Sequence, residues 1–245
     1  MKQNKYDDPA FFGKYAQMAR SVEGLEAAGE WPAFQAMLPP LAGKQVLDLG
    51  CGYGWHCFYA QSQGAAAVTG VDISAKMLAR AQQVPGAERI GWQQVAMEDY
   101  HPEPEGYDVV LSSLAFHYVA DWPSLCRKVA QALKPGGTFL FSVEHPIFTA
   151  QGPQAWYCDG EGKPLHWPVD HYFSSGRRET CFLGERVVKY HRTLTDWLAP
   201  LLALQLQVNG LREPQPSAQL LADVPGMQDE LRRPMMLIVS ACKPA

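Results

Sequence analysis

From residue 45 onward, short continuous apolar runs alternate with stretches of helical periodicity, and no other feature restricts the fold as strongly. The runs read QVLDLG, AAVTGVDIS, RIGWQQV, YDVVLSS and GTFLFSV, and helical patterns run through 57–63, 75–83 and 122–133. Strands that are apolar on both faces are typical of a parallel sheet covered by helices on each side. The sequence therefore predicts an α/β fold built on a doubly wound sheet.

Two segments lie outside this alternation. Residues 1–40 carry Phe11, Phe12, Tyr15 and Met18 at helical spacing, which predicts an N-terminal helical lid ahead of a core that spans 41–245. Residues 145–192 have little helical period and are rich in aromatic residues, proline and glycine, so we expect an insertion after the fifth strand that acts as a substrate lid. Its rings could enclose a partly apolar or cationic acceptor, or could form a small satellite core.

The overall charge favours a small-molecule partner. With 21 basic against 25 acidic residues, the chain lacks the positive field that binding to nucleic acid or to an anionic membrane usually requires. No run approaches the roughly 20 apolar residues of a membrane span, and the first residues show no apolar signal core. We therefore expect a cytoplasmic protein with neither a nucleic-acid nor a membrane partner. The oligomeric state stays open.

Three glycines, Gly50, Gly52 and Gly54, directly follow the first predicted strand. They let a ligand approach the backbone without meeting a Cβ atom. In a dinucleotide fingerprint the third glycine would fall at position 55, which is Trp55. Asp48, just before the loop, would also repel an anionic pyrophosphate. The loop therefore disfavours NAD and favours a ligand with a cationic end.

A second acid, Asp72, ends the second predicted strand. At this position in a doubly wound sheet a carboxylate can accept hydrogen bonds from both hydroxyls of a ribose. The two acids together indicate a nucleoside joined to a positively charged group. S-adenosylmethionine has this composition, with an adenosine, a sulfonium and an amino acid.

Taken together, VLDLGCGYG, VTGVDIS, QVAMEDY, YDVVLSSLAFHYV and LKPGGTFLFSVEHP resemble the class I S-adenosylmethionine-dependent methyltransferases, in particular the methyltransferase domain 11 type. The resemblance runs from about residue 43 to 145. It implies a Rossmann-like seven-stranded sheet whose last strand is antiparallel, and LQLQVNGL and MMLIVSAC match the final strands. It also implies S-adenosylmethionine as cofactor and S-adenosylhomocysteine as product.

The resemblance further implies a set of cofactor-binding residues. Gly50, Cys51 and Gly52 would contact the methionine part, with Asp48 near its amino group. Asp72 would hold the ribose. The adenine would be flanked by Ile73 and the turn of Ala96, Met97 and Glu98, and the backbone at Ser112 and Leu114 would approach the cofactor.

Polar residues at the ends of the fourth and fifth strands are candidates for the acceptor site, because ligands bind beyond the carboxyl ends of parallel strands. They include His117, Tyr118, Glu144 and His145. His145 could act as a general base, or could instead pin the insertion through local hydrogen bonds.

From the amphipathic N-terminal segment we expect Tyr15 and Arg20 to fold over the cofactor's carboxylate. No metal-ligand spacing and no G-x-S-x-G elbow is present, so we predict no metal. The leading hypothesis is methyl transfer to oxygen, nitrogen or carbon of a small molecule. A non-catalytic S-adenosylmethionine-binding protein and an NAD-dependent oxidoreductase are the alternatives.

Overall fold

The protein is built around one seven-stranded sheet in a computed structural model that describes residues 2–245. In chain order the strands are β1 (Gln45–Leu49), β2 (Ala67–Asp72), β3 (Ile90–Gln94), β4 (Tyr107–Ser113), β5 (Leu133–Glu144), β6 (Tyr157–Cys158), β7 (Pro164–His166), β8 (Gly176–Phe182), β9 (Glu185–His191), β10 (Gln207–Arg212) and β11 (Met236–Cys242). The large sheet has the order β10, β11, β5, β4, β1, β2, β3.

The helices are mostly short. They are α1 (Pro9–Tyr15), α2 (Ala19–Val22), α3 (Trp31–Gln35), α4 (Trp55–Ser62), α5 (Ala75–Ala81), α6 (Trp122–Ala132), α7 (Pro146–Thr149), α8 (Leu194–Ala203) and α9 (Ala218–Asp223). Short 3-10 helices span Lys5–Asp7, Gly24–Ala27, Ala87–Arg89, Phe116–Tyr118 and Met227–Arg232. No helix within residues 2–245 combines the length and the hydropathy that a membrane crossing needs.

The pairing confirms the predicted topology. Strands β1 to β5 pair with one another in parallel, whereas β11 lies antiparallel between β5 and β10. Neighbouring residues of one strand lie in different apolar clusters: Val46 and Leu47 of β1 are on opposite faces, as are Leu140 and Phe141 of β5. The continuous apolar runs therefore reflect a sheet that is buried on both sides.

The structure shifts several boundaries that the sequence predicts. Helix α4 begins at Trp55, directly after Gly54, which adopts a φ of 75° at the N-cap. Strand β5 begins at Leu133 rather than in GTFLFSV, and its register against β4 is irregular between Tyr107 and Val109. The irregularity accommodates the LKPGG sequence inside the strand.

The insertion has more regular structure than the sequence indicates. Strands β8 and β9 pair as an antiparallel hairpin from Gly176 opposite His191 to Phe182 opposite Glu185. The N-terminal segment packs on this hairpin: Phe11 is fully buried with its ring 5.8 Å from that of Phe182, and Lys14 Nζ donates to the carbonyl oxygen of Leu183 at 2.9 Å. Both segments therefore cover the same end of the large sheet.

Candidate functional site

A cavity of about 700 Å³ lies at the carboxyl ends of the central strands and is covered by the N-terminal segment and the β8–β9 hairpin. Ten of the predicted site residues line it: Tyr15, Arg20, Gly50, Gly52, Asp72, Ile73, Ala96, Met97, Glu98 and Leu114. Four others lie outside its lining: Asp48, Cys51, Ser112 and His145. The sequence therefore predicts most of one end of the cavity.

The glycine loop has two glycines with different surroundings. Gly50 and Gly52 both adopt left-handed backbone conformations, with φ of 76° and 54°. A Cβ atom at Gly50 would lie 2.5 Å from the Cβ of Ala115, so this glycine is required by packing. A Cβ at Gly52 would meet no protein atom within 4 Å, although Gly52 lines the cavity. Gly52 is therefore where a ligand can approach bare backbone.

Asp72 is held in place by two backbone amides. Its Oδ1 accepts from the N–H of Ser74 and its Oδ2 from the N–H of Gly52, each at 2.8 Å. Burial raises the pKa of this carboxyl, and the two N–H donors oppose that effect. Each oxygen keeps a further lone pair, so the carboxylate can also accept hydrogen bonds from ligand hydroxyls.

The N-terminal segment is fastened to the turn that follows Asp72. Asp7 Oδ1 accepts from the hydroxyl of Ser74 at 2.6 Å and from the N–H of Lys76 at 3.0 Å, while Oδ2 accepts from the N–H of Ala75 at 3.3 Å. These donors belong to the first turn of α5, where a carboxylate is stabilising. Asp7 therefore joins the covering segment to one edge of the cavity.

Asp48 lies behind the glycine loop. Its side chain is buried, its Oδ2 accepts from the Cys57 thiol at 3.4 Å, and its Oδ1 has no hydrogen-bond partner within residues 2–245. Burial raises its pKa to about 7. Cys51 is also buried, which raises the pKa of its thiol to about 11 and makes it a packing residue.

Residues after β2, β3 and β4 form the apolar wall of the cavity. Ile73, Ala96 and Met97 lie there with Leu114, which has a φ of 52° and donates its N–H to the carbonyl oxygen of Ser142 at 2.9 Å. Ser112 is fully buried instead, and its hydroxyl donates to the Leu49 carbonyl oxygen at 2.6 Å. The serine therefore joins β4 to β1 and presents no side chain to the cavity.

Arg20 reaches the cavity from the N-terminal segment with a buried acid behind it. Its Nη2 lies 3.1 Å from Glu30 Oε1, which also accepts from the hydroxyl of Ser113 at 3.2 Å. Glu30 is only 2% exposed. The pair fixes the direction of the guanidinium, and Tyr15 lines the cavity beside it.

His145 is not placed to act on a ligand in the cavity. Its Nδ1 accepts from the N–H of Ile147 at 3.0 Å, which caps α7, and its Nε2 lies 2.9 Å from Glu213 Oε1. The ring is buried between these contacts. The geometry therefore fits the alternative role of pinning the insertion rather than that of a general base.

The other end of the cavity, which we call the acceptor end, contains Tyr6, His117, Tyr118, Glu144 and Lys189. Lys189 Nζ lies 2.5 Å from Glu144 Oε1, and the hydroxyls of Tyr6 and Tyr118 are 3.3 Å apart. His117 Nδ1 accepts from the N–H of Glu144 at 3.4 Å, and burial lowers the pKa of this histidine to about 4. The acceptor end is thus polar but largely buried.

The aromatic residues of the insertion surround an arginine. The guanidinium carbon of Arg233 lies 4.2 Å from the ring centre of Trp167, 4.7 Å from that of Phe148 and 5.3 Å from that of Trp156. Its two terminal nitrogens donate to Glu230 at 2.7 and 3.0 Å. The ring faces are therefore occupied by a cation of the chain itself, and this part of the insertion is a satellite core.

Lys189 and Asp7 are two contributors to the site that the sequence reasoning did not single out. In RVVKYH, the side chains of Val187, Lys189 and His191 alternate onto one face, and all three are buried. In a strand, side chains alternate between two faces, and a lysine on the apolar face indicates a buried charge that has a partner. No comparable signal marks Asp7, since its partners follow a strand and lie 67 to 69 residues later in the chain.

Comparison with known proteins places these features in a family. Residues 46–137 match a family model described as a methyltransferase domain, Methyltransf_25, which differs in label from the domain 11 type. A solved structure from Listeria monocytogenes, assigned to the S-adenosylmethionine-dependent methyltransferases, is 52% identical; the match covers 91% of this chain and 100% of that one, with a TM-score of 0.86.

Two further relatives extend the comparison. An S-adenosylmethionine-dependent methyltransferase from Mesorhizobium loti is 44% identical over 89% of this chain and 100% of that one, with a TM-score of 0.83. A ubiquinone biosynthesis O-methyltransferase of Pseudomonas savastanoi pv. phaseolicola is 40% identical over 106 residues, which are 42% of this chain and 45% of that protein. The match to the Pseudomonas protein is thus confined to less than half of either chain.

Proposed function

Because the chain belongs to the class I S-adenosylmethionine-dependent methyltransferases, we propose that it transfers a methyl group to a small-molecule acceptor bound inside the cavity. S-adenosylmethionine is the cofactor and S-adenosylhomocysteine the product. The observation that carries the proposal is the enclosure of the cavity, whose glycine-loop edge and polar acceptor end are both covered by the N-terminal segment and the β8–β9 hairpin. A volume of about 700 Å³ is typical of small-molecule sites.

The residues at the carboxyl ends of β1, β2 and β3 fit the cofactor. Gly52 offers open backbone, the Asp72 carboxylate can accept from two ribose hydroxyls, and the unpartnered Oδ1 of Asp48 lies behind the loop where a cationic amino group would be favourable. We propose that Ile73, Ala96, Met97 and Glu98 contact the adenine and that the Leu114 backbone approaches the cofactor.

We propose that Arg20, oriented by Glu30, and Tyr15 hold the cofactor's carboxylate. The bound cofactor supplies a methyl group that is already activated by a positively charged sulfur. The side chains of the chain therefore have to bind and orient the acceptor and to exclude water. The covering segment, fastened through Asp7, contributes to the exclusion of water.

A labelling experiment tests the proposal. The purified protein is incubated with methyl-labelled S-adenosylmethionine and a cell extract that has been separated into small molecules, proteins and nucleic acids. We expect label in the small-molecule fraction, and we expect it to fall at least tenfold with Asp72→Ala. Label found in proteins or nucleic acids alone would contradict the small-molecule acceptor, and binding of S-adenosylhomocysteine without transfer to any fraction would favour a non-catalytic binding protein.

A further inference from the structure

The acceptor end offers hydrogen-bond donors but little that can accept a proton. The carboxylate of Glu144 uses Oε1 for Lys189 Nζ at 2.5 Å and Oε2 for Gln154 Nε2 at 2.8 Å. Burial raises the pKa of Glu144, but the net shift is downward, because the Lys189 ammonium and the hydrogen bonds from Lys189 and Gln154 favour the carboxylate. A carboxylate that is anionic and already has a partner on each oxygen is poorly suited to remove a proton from a substrate.

His117 is a donor toward the cavity rather than a base. Its Nδ1 accepts the backbone N–H of Glu144, so the neutral ring carries its hydrogen on Nε2. That nitrogen makes no hydrogen bond to any residue between 2 and 245, and His117 lines the cavity. The low pKa keeps the ring neutral above about pH 5. An acceptor in the cavity therefore meets the N–H of this ring.

Lys189 supplies a second donor. Its Nζ has hydrogen bonds to two oxygens, those of Glu144 and Gln154, and an ammonium has three N–H groups. Lys189 is 4% exposed and lines the cavity together with Phe182, whose ring centre lies 5.4 Å from Nζ, so the third N–H has no oxygen partner among the described residues and can be offered to an acceptor.

The choice of nucleophile follows from the lack of a free base. An alcohol, a phenol or a protonated amine must lose a proton before or during methylation, because their pKa values lie at about 10 or above. A carboxylate is ionised above about pH 5 and has no proton to lose. A carboxylate accepts hydrogen bonds and donates none, which matches the N–H donors of His117 and Lys189.

We propose that the acceptor is a small carboxylic acid, bound as its carboxylate and methylated on oxygen to give a methyl ester. This inference rests on the proposed function. The new bond joins a carboxylate oxygen to the methyl carbon, and the bond that breaks is the one between that carbon and sulfur. Its electron pair stays on sulfur, so the carboxylate's negative and the sulfonium's positive charge cancel and no proton is taken up or released.

Alkali treatment of the labelled small molecules tests this class directly. Methyl esters release volatile labelled methanol in mild alkali, whereas methyl ethers, N-methyl and C-methyl products keep the label. We expect most of the label from the wild-type protein to become volatile. Alkali-stable label in the small-molecule fraction would overturn the carboxylate while leaving the proposed function intact, and no label in that fraction would remove both.

A double variant of the acceptor end provides a second test. The double variant Glu144→Gln with Lys189→Gln keeps the hydrogen-bonding groups but removes both charges; we expect an at least tenfold loss of alkali-labile label with S-adenosylhomocysteine affinity unchanged within about twofold. Arg186→Gln, on the exposed face of β9, is the matched control and should retain both. Undiminished ester formation in the folded double variant would contradict the role of Lys189.

The pH profile needs no variant. With no proton to remove, the rate of alkali-labile labelling by the wild-type protein, at limiting extract concentration and saturating S-adenosylmethionine, should stay within about twofold between about pH 6 and 8.5. A rate that rises tenfold per pH unit across this window would reveal a base and would overturn the inference.

Discussion

Replacing either of two neighbouring loop glycines by alanine should separate folding from cofactor binding. At Gly50 the alanine would adopt a left-handed conformation, which costs about 1–2 kcal/mol, and its Cβ would lie 2.5 Å from that of Ala115, which adds about 1–3 kcal/mol of overpacking. At Gly52 only the backbone cost of about 1–2 kcal/mol applies, since the added Cβ meets no protein atom within 4 Å. We therefore expect Gly50→Ala to lower the free energy of unfolding by about 2–5 kcal/mol and Gly52→Ala by about 1–2 kcal/mol.

Among folded molecules, Gly52→Ala should show the larger loss of cofactor affinity, although Gly50→Ala shows the larger loss of stability. The added methyl of Gly52→Ala would occupy space at the cavity wall, so S-adenosylhomocysteine affinity should fall at least about tenfold, or 1.4 kcal/mol. Urea unfolding measures the stability, and calorimetric titration of the folded fraction measures the affinity. Wild-type affinity in Gly52→Ala would refute the reasoning that a ligand lies against this backbone, and equal stability losses would refute the packing role of Gly50.

Two other substitutions probe the site and its surroundings. Asp72→Asn places an amide group between the N–H donors of Gly52 and Ser74, so S-adenosylhomocysteine affinity measured by calorimetry should fall by about 1.5–3 kcal/mol, and an unchanged value would exclude contact with the ribose. Arg233→Lys loses the paired hydrogen bonds to Glu230 and the stacking on three rings, so urea unfolding should show a loss of about 1–3 kcal/mol with cofactor affinity unchanged. A loss as large in the exposed control Arg186→Lys would argue against the ring contacts as the cause.

The sequence predicts which residues line the glycine-loop end of the cavity, because local features determine their positions. Strand ends, left-handed glycines and the acid at Asp72 are all encoded within a few residues, and their meeting at one edge follows from the parallel sheet. The direction of the Ser112 side chain is not encoded in the same way, because periodicity does not say that its hydroxyl turns toward Leu49.

The acceptor end is harder to predict because it depends on contacts between distant segments. His145 directly follows Glu144, the last residue of β5, yet only Glu144 lines the cavity, since consecutive residues of an extended chain point to opposite sides. The partner of Glu144, Lys189, lies 45 residues later on strand β9 of the hairpin. The local pattern of RVVKYH indicates a buried lysine but not which acid it meets.

Asp48 gives the chain a pH response that should depend on the cofactor. Its pKa of about 7 in the folded chain lies above the ordinary value of 3.8, because burial disfavours the charged form. The contribution of this carboxyl to the free energy of unfolding is therefore fully present below about pH 4, where the group is protonated in both the folded and the unfolded chain. It is lost as pH rises to about 7, and the full loss is about 4 kcal/mol. In urea unfolding, the wild-type protein should lose stability relative to Asp48→Asn across this window.

A cationic amino group near the unpartnered Oδ1 of Asp48 would lower the pKa again. Cofactor binding at pH 7 should then release up to about half a proton from this carboxyl, because a group at its pKa is half protonated. Calorimetric titration with S-adenosylhomocysteine in two buffers of different ionisation enthalpy measures this release, and Asp48→Asn is the control. Equal proton release by both proteins would mean that the amino group lies too far from Asp48 to change its charge, and the carboxylate would then serve only to brace the glycine loop.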